Sequence, residues 1–323
     1  MAEKTKVAFI GAGGLASGMH YPSLASFEDV AFVANCDLIE EKARNLAQKF
    51  KIPNTYTDYK KMIEKEAPEA VYVIMPPHHM YDIVVWCLQK KLHVFVEKPP
   101  GLTKLQTREM AYHAERNGCL TMAGFQRRFA PIFTWGRKRC EECGPIHQVV
   151  ACFYKDARNE YNGYYQGAID ILTSDAVHAV DAMRYYAGGN VVKVASSVRR
   201  IGNVKYDNSF NTLVTFDNGC DGILLANWRT GRRFFKLELH SPGASFYADV
   251  DAEGRFCAND GKIDERVTSQ DIAQSKDNYV FAGFKAENRH FIDCIKAKKQ
   301  PVSNFEDSYK TMELVDNIYH CCW

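Results

Sequence analysis

A chain of 323 residues exceeds what one hydrophobic core usually organises, so two domains are expected. Its apolar content of 46% is that of a globular protein, and its 41 Lys and Arg against 39 Asp and Glu are interspersed without a basic stripe. That balance argues against nucleic acid or a membrane surface as partner and points to a small molecule.

The opening residues 1–6 are polar and run directly into the strand Val7-Ala8-Phe9-Ile10, leaving no apolar stretch for a signal peptide. Apolar runs such as 71–75 are far shorter than the roughly 20 residues a membrane helix needs, so a cytoplasmic protein is expected. Up to residue 123, short apolar strands (6–10, 31–36, 70–74, 93–96 and 120–123) alternate with amphipathic helices (14–26, 40–50, 60–66, 79–90 and 104–117). This βαβ rhythm predicts a Rossmann-type doubly wound parallel sheet over 1–123. Beyond Gly124, a helix over 169–186 is followed by alternating segments at 192–200, 209–216, 220–228, 234–240 and 244–250. Turn signals at Asp217-Asn218-Gly219 and Ser241-Pro242-Gly243 make these consecutive antiparallel strands, and helices over 285–298 and 304–319 close the chain. The expectation for 124–323 is an α+β domain with a large, mostly antiparallel open sheet.

The 11 cysteines are odd in number, and Cys36, Cys87, Cys152 and Cys294 lie inside apolar patterns, which fits reduced thiols better than disulfides. Cys140 and Cys143 have metal-ligand spacing. The other pair, Cys321-Cys322, is adjacent and poorly spaced for zinc, so no metal site is expected.

The first chemical element is Gly11-Ala12-Gly13-Gly14-Leu15-Ala16, a G-x-G-x-x-A run between a strand and a helix. Glycine permits the tight turn and lets the backbone approach a pyrophosphate, which the helix N-terminus then holds. Gly11, Gly13, Gly14 and Leu15 are therefore candidate cofactor residues. Asp37 ends the second strand, where a carboxylate accepts hydrogen bonds from the adenosine ribose and repels a 2′-phosphate; Leu38, Ile39 and Glu40 follow, with no arginine. NAD is expected over NADP, although an Asp here also suits a helix cap. Glu97-Lys98-Pro99-Pro100 leaves the carboxyl end of a strand, the ligand edge of an open α/β sheet. A lysine there either holds a substrate hydroxyl or is a solvated loop charge.

With these residues in place the chain resembles the glucose–fructose oxidoreductase, inositol dehydrogenase and rhizopine-catabolism group, Gfo/Idh/MocA. The resemblance rests on the glycine loop, His20-Tyr21-Pro22, Glu97-Lys98-Pro99, Gly124-Phe125-Gln126-Arg127-Arg128-Phe129 and the helix with His178-Ala179-Val180-Asp181. It implies hydride exchange between nicotinamide and a carbon-bound hydroxyl of a sugar or cyclitol, and a homodimer or homotetramer built through the C-terminal sheet. It also implies that Glu97 and Lys98 contact the nicotinamide end, with Pro76 and His79 of the third-strand loop beside them. Lys98 would also touch the reacting hydroxyl, and His178 would be the acid/base. Two departures are visible. The place four residues before this histidine, often an aspartate in the family, is Ser174, and the acid is Asp175; the third-strand loop reads Met75-Pro76-Pro77-His78-His79.

The residues support the assignment independently. Asp175 and His178 share a helical face, with Asp181 a turn further on, so carboxylates can flank the imidazole. A base near neutral pKa suits an alcohol oxidised by NAD. A histidine capping or bridging helices is one alternative, and an Asp-x-x-His-x-x-Asp metal site, for which the chain supplies no obvious fourth ligand, is another. The segment 155–166 carries Arg158, Tyr161, Tyr164 and Tyr165, suited to a sugar or to a subunit contact, and Arg128 or Arg158 suits a carboxylate or phosphate. The candidate substrate residues are thus Lys98, Arg128, Arg158, Tyr161, Ser174, Asp175 and His178, with Lys98, Asp175 and His178 catalytic. The reading is an NAD-dependent dehydrogenase of a sugar, glycoside or cyclitol, with reversible hydride transfer to nicotinamide C4. The rivals are a redox-neutral enzyme that keeps NAD while cleaving a glycoside, and a non-catalytic NAD- or sugar-sensing regulator.

Overall fold

The computed structural model describes residues 4–157 and 164–321. The chain divides into two units, the first comprising residues up to Gly124 together with Phe284–Tyr309, and the second Phe125–Gly283 with the residues from Lys310 onward.

In the first unit, strands β1 (Thr5–Ile10), β2 (Val30–Cys36), β3 (Asn54–Tyr56), β4 (Ala70–Val73), β5 (His93–Glu97) and β6 (Thr121–Gly124) form a six-stranded sheet in the order β3-β2-β1-β4-β5-β6. Every pairing is parallel. Helices α1 (Tyr21–Ala25), α2 (Glu40–Phe50), α3 (Tyr59–Glu66), α4 (Met80–Gln89) and α5 (Lys104–Asn117) make the crossovers. Strands β4 and β6 are buried throughout, as a sheet covered on both faces requires. The expected doubly wound fold is what forms. The order reverses between β1 and β4, so the loops after these strands open at the crevice where such sheets take ligands.

The first unit's opening segment ends at Gly124, and the residues after it are shared between the two units. Two helices from near the end of the chain, α10 (Phe284–Ala297) and the start of α11 (Phe305–His320), belong to the first unit. The reason is packing: Phe291 of α10 is fully buried against Tyr72 and Phe95 of the sheet, and Arg289 bonds to Asp29 at 2.8 Å.

In the second unit, α6 (Pro131–Glu141) and α7 (Val177–Ala187) lie on one face of an eight-stranded sheet, with short helices α8 (Ser269–Ala273) and α9 (Asn278–Phe281) after its last strand. The strands are β7 (Gln148–Asp156), β8 (Val191–Arg199), β9 (Ser209–Phe216), β10 (Asp221–Asn227), β11 (Arg229–Ser241), β12 (Ala244–Asp249), β13 (Glu253–Ala258) and β14 (Ile263–Thr268). Their order is β14-β13-β12-β11-β7-β10-β9-β8, antiparallel except where β7 meets β10. The large, mostly antiparallel open sheet is as expected. Burial alternates with period two along β9 and β10, which separates a helix-covered face from an open one. No helix among the described residues is long and apolar enough to cross a membrane.

Candidate active site

On the first unit, β1 ends at Ile10 and the chain turns at Gly11 with φ +113°; a Cβ there would stand 2.0 Å from the Ile74 carbonyl oxygen, so only glycine fits. Gly13 and Gly14 serve differently. A Cβ on either meets nothing within 4 Å, which leaves their backbone bordering open space. Leu15 is exposed beside them, and the helical residues begin at Gly14 and continue into the π-helical turn Ala16–His20. Asp37 stands at the rim of this loop, its Oδ2 accepting the Ala12 N–H at 2.8 Å and its Oδ1 the Ile39 N–H at 2.9 Å. The carboxylate therefore ties the loop to the start of α2 and keeps lone pairs for a further donor. An open glycine loop at a helix start with a carboxylate at its rim fits an adenine dinucleotide. Pro76 and His79 are exposed on the turn after β4, where the His78 and His79 rings meet at a tilt of 52°, 4.0 Å between centroids. Burial, and then the charge of His79, hold the His78 imidazole below its usual pKa.

Glu97 turns inward at the end of β5. Its carboxylate is buried and meets His20 Nε2 at 2.8 Å, while His20 Nδ1 faces Asn288 Oδ1 at 3.2 Å and Asn288 Nδ2 donates to Ser23 Oγ at 3.0 Å. Glu97 Oε2 also accepts the Lys98 N–H at 3.1 Å. Glu97 is thus an anchor for the loop rather than a surface presented at its edge. A Cβ on Gly124 would approach the Glu97 carboxylate to 3.0 Å, which accounts for glycine at the end of β6. Lys98 is half-buried and precedes Pro99 in a cis peptide.

On the second unit, a single π-helical turn, Leu172–Ala176, leads into α7 and carries Ser174 and Asp175; His178 follows in the first turn of α7, and all three are buried. Such wide turns re-aim side chains within a helix and recur at functional sites. Asp175 Oδ2 receives both the Lys155 ammonium and the Tyr164 hydroxyl. Lys155 Nζ also reaches the Tyr164 hydroxyl at 3.1 Å, and Trp228 Nε1 donates to it at 3.4 Å. Lys155 was missed as a site residue, yet its strand carried a signal. Val149, Ala151 and Phe153 are the buried face of β7, and period two puts Lys155 on that face.

Arg128 and Asp181 are brought together, with Arg128 Nε to Asp181 Oδ2 at 2.8 Å and Nη2 to Oδ1 at 2.5 Å, both side chains buried. Thr311 Oγ1 donates to the same Oδ1 at 2.7 Å. The guanidinium that the sequence offered to a substrate anion is therefore engaged inside the unit, and Asp181 answers an arginine where the sequence reading gave it to the imidazole. Arg158 and Tyr161 lie outside the described residues.

A doubly wound sheet with an open glycine loop, and a sheet domain with a buried Asp–Lys–Tyr cluster on the turn that leads to His178, define an NAD(P)-dependent oxidoreductase. Comparison with known proteins gives the family. Residues 5–125 match the model of the oxidoreductase family with an NAD-binding Rossmann fold, and 139–246 match the GFO/IDH/MocA C-terminal domain. The chain is 30% identical to D-glucoside 3-dehydrogenase of Escherichia coli, over 97% of this chain and 94% of that one. It is 24% identical to myo-inositol 2-dehydrogenase of Thermotoga maritima, over 94% and 91%. A dehydrogenase from Chromobacterium violaceum has the same fold, with a TM-score of 0.90 at 20% identity over 100% of this chain and 96% of that one. This chain belongs to the Gfo/Idh/MocA family of NAD(P)-dependent oxidoreductases.

Proposed function

We propose that this enzyme oxidises a secondary hydroxyl of a sugar, glycoside or cyclitol, and that its cofactor is NAD. The observation that carries the reading is the Asp175 cluster: a carboxylate fixed by Lys155 and Tyr164 on the turn that opens the His178 helix. The activities of the glucoside and inositol dehydrogenase relatives support the substrate class. Asp37, with no arginine after it, supports NAD, since its negative charge disfavours a 2′-phosphate.

When bound, the nicotinamide supplies the hydride acceptor. The chain's own residues handle the proton. Lys98 holds the substrate hydroxyl as a donor, and His178 accepts the proton that leaves its oxygen. Asp175 balances the charge that develops on that ring, and its own position is fixed by Lys155 and Tyr164. Ser174, buried on the same turn, adds a hydroxyl to the substrate contacts.

The open face of the second sheet supports a homo-oligomer. Val150, Ile223 and Leu213 lie side by side across β7, β10 and β9 on the face without helices, with Leu213 47% exposed. Size-exclusion chromatography with light scattering is expected to give a dimer or tetramer, and Leu213→Lys to reduce it.

The test is absorbance at 340 nm with NAD⁺ against free sugars, inositols and aryl glycosides. Signal growth with one class, reduced about 10²–10⁴-fold in kcat by His178→Ala, is the expected result. Glycoside cleavage without net NADH would replace this reading with the redox-neutral one.

A further inference from the structure

Three cations, Arg127, Arg233 and Lys155, gather over an aromatic layer on the second unit. Phe153 of β7 packs on Trp228 at 5.1 Å and on Phe235 of β11 at 5.2 Å between ring centroids. Lys155 Nζ lies 5.0 Å from the Phe153 centroid and 5.5 Å from that of Trp228. The Arg233 guanidinium lies 5.7 Å from Phe153, and that of Arg127 lies 4.9 Å from Phe235. Two of these cations have a carboxylate of their own: Lys155 bonds to Asp175, and Arg233 to Asp251.

Arg127 is the exception. It is only 6% exposed, and among the described residues nothing accepts a hydrogen bond from its Nε or Nη1. The adjacent Arg128, equally buried, is fully engaged by Asp181, so burial alone does not explain an unanswered guanidinium in this segment. Its backbone is also fixed. Tyr186 donates to the Arg127 carbonyl at 3.3 Å, and a Cβ on Gly283 would strike the Gln126 carbonyl at 2.3 Å. A buried cation with idle donors is costly unless something supplies the acceptor. Burial pushes the Arg127 pKa down to about 10, so the group still carries its charge at neutral pH; Asp251, and after it Asp175 and Asp249, act through space to favour that charge while Arg233 opposes it. Phe235 beneath Arg127 packs on Phe153 beneath Lys155, and Lys155 bonds to Asp175, so the acceptor it lacks is expected on the layer that leads to the acid/base cluster, where the substrate is proposed to sit.

We infer that Arg127 is a specificity-determining residue and that the substrate is an anionic sugar, a uronate or a sugar phosphate. Its carboxylate or phosphoryl oxygens accept the Nε and Nη1 hydrogens of Arg127, the planar fork that matches both groups. This rests on the sugar dehydrogenase reading above, which by itself leaves the substrate's charge open.

The test compares glucose, glucuronate and glucose 6-phosphate, and galactose with galacturonate, in wild type, Arg127→Met and Arg127→Lys. NADH formation gives kcat/KM, and the rise in Tm on adding each sugar to the NADH-loaded enzyme gives binding without turnover. In wild type the anionic member is expected to exceed its neutral counterpart, and that ratio to fall about 10–100-fold in Arg127→Met, the loss of a charge-assisted pair of hydrogen bonds. Arg127→Lys keeps the charge but not the fork, so a smaller fall is expected; it carries the test alone should the Met variant not fold. Preference for glucuronate or for glucose 6-phosphate tells carboxylate from phosphate. An equal ratio in all three proteins, or a wild type that prefers neutral sugars, overturns the inference while leaving the dehydrogenase reading intact. An Arg127-dependent rise in Tm with no NADH from any sugar does the reverse, upholding anion recognition and overturning oxidation.

Discussion

The two units carry their candidate functional residues in different material. On the first unit the work falls to backbone: a glycine whose Cβ has no room, two more whose space is left open, and a carboxylate bonded to two peptide N–H groups. On the second unit it falls to side chains, with Lys155, Tyr164, Asp175 and Trp228 joined in one hydrogen-bonded cluster. A dinucleotide is the same molecule in many enzymes, so backbone geometry suffices to receive it. Substrates differ, and a side-chain cluster can be altered one residue at a time without disturbing the sheet that carries it. Substitutions in the first half should therefore cost fold along with function, and those in the second chiefly function.

The largest effect is expected at Gly11. Gly11→Ala places a methyl 2.0 Å from a carbonyl oxygen at a positive φ, and should cost about 4 kcal/mol or more, read as loss of soluble protein or a collapsed Tm. Glu97→Ala comes next: it strips a buried carboxylate from His20 and should cost about 3–5 kcal/mol in denaturant unfolding. On the other side of the comparison, Lys155→Met should lower kcat about 10–100-fold by releasing Asp175, with a stability loss of only about 1–2 kcal/mol. A Tm collapse in that variant would break the contrast. The smallest effect is one of pH. Hydrogen bonds from Arg289 and then Lys296 hold the Asp29 carboxyl well below the usual range. Its folded pKa is depressed, so its contribution is present above the unfolded value of about 3.9 and is lost as pH falls below it. Because the group is partly exposed and screened, about 1 kcal/mol or less is at stake, and Asp29→Asn should flatten the acid limb of a Tm–pH curve by that amount.

Much of this was legible in the sequence where local pattern decides. Strands β1, β2, β4, β5 and β6, the glycine loop and the His178 helix follow from apolar runs, turn residues and helical spacing. Helix α6 was missed because it holds Gly136 amid Phe, Thr and Trp, weak helix formers; its glycine is there because a Cβ would meet Phe246 at 2.3 Å, a demand made by a distant strand. Strands β13 and β14 were missed because they are short and polar on the open face, and β3 because it has only 3 residues. Of the site, the residues on their own elements were readable, but their partners were not. That Glu97 would turn inward to His20, and Arg128 to Asp181, depends on segments far apart in the chain meeting in space.

The return of residues 284–309 to the first unit has a consequence for how the chain is made. Asn288 and Phe291, which complete the packing around His20 and the central strands, are synthesised after the whole of 125–283. Domains that emerge first from the ribosome usually fold first. Here the first to emerge must wait, its glycine loop built but its back uncovered, until the second has been made, and a chain stalled or cleaved near residue 283 would hold a nearly finished second unit beside a cofactor half still lacking its last layer.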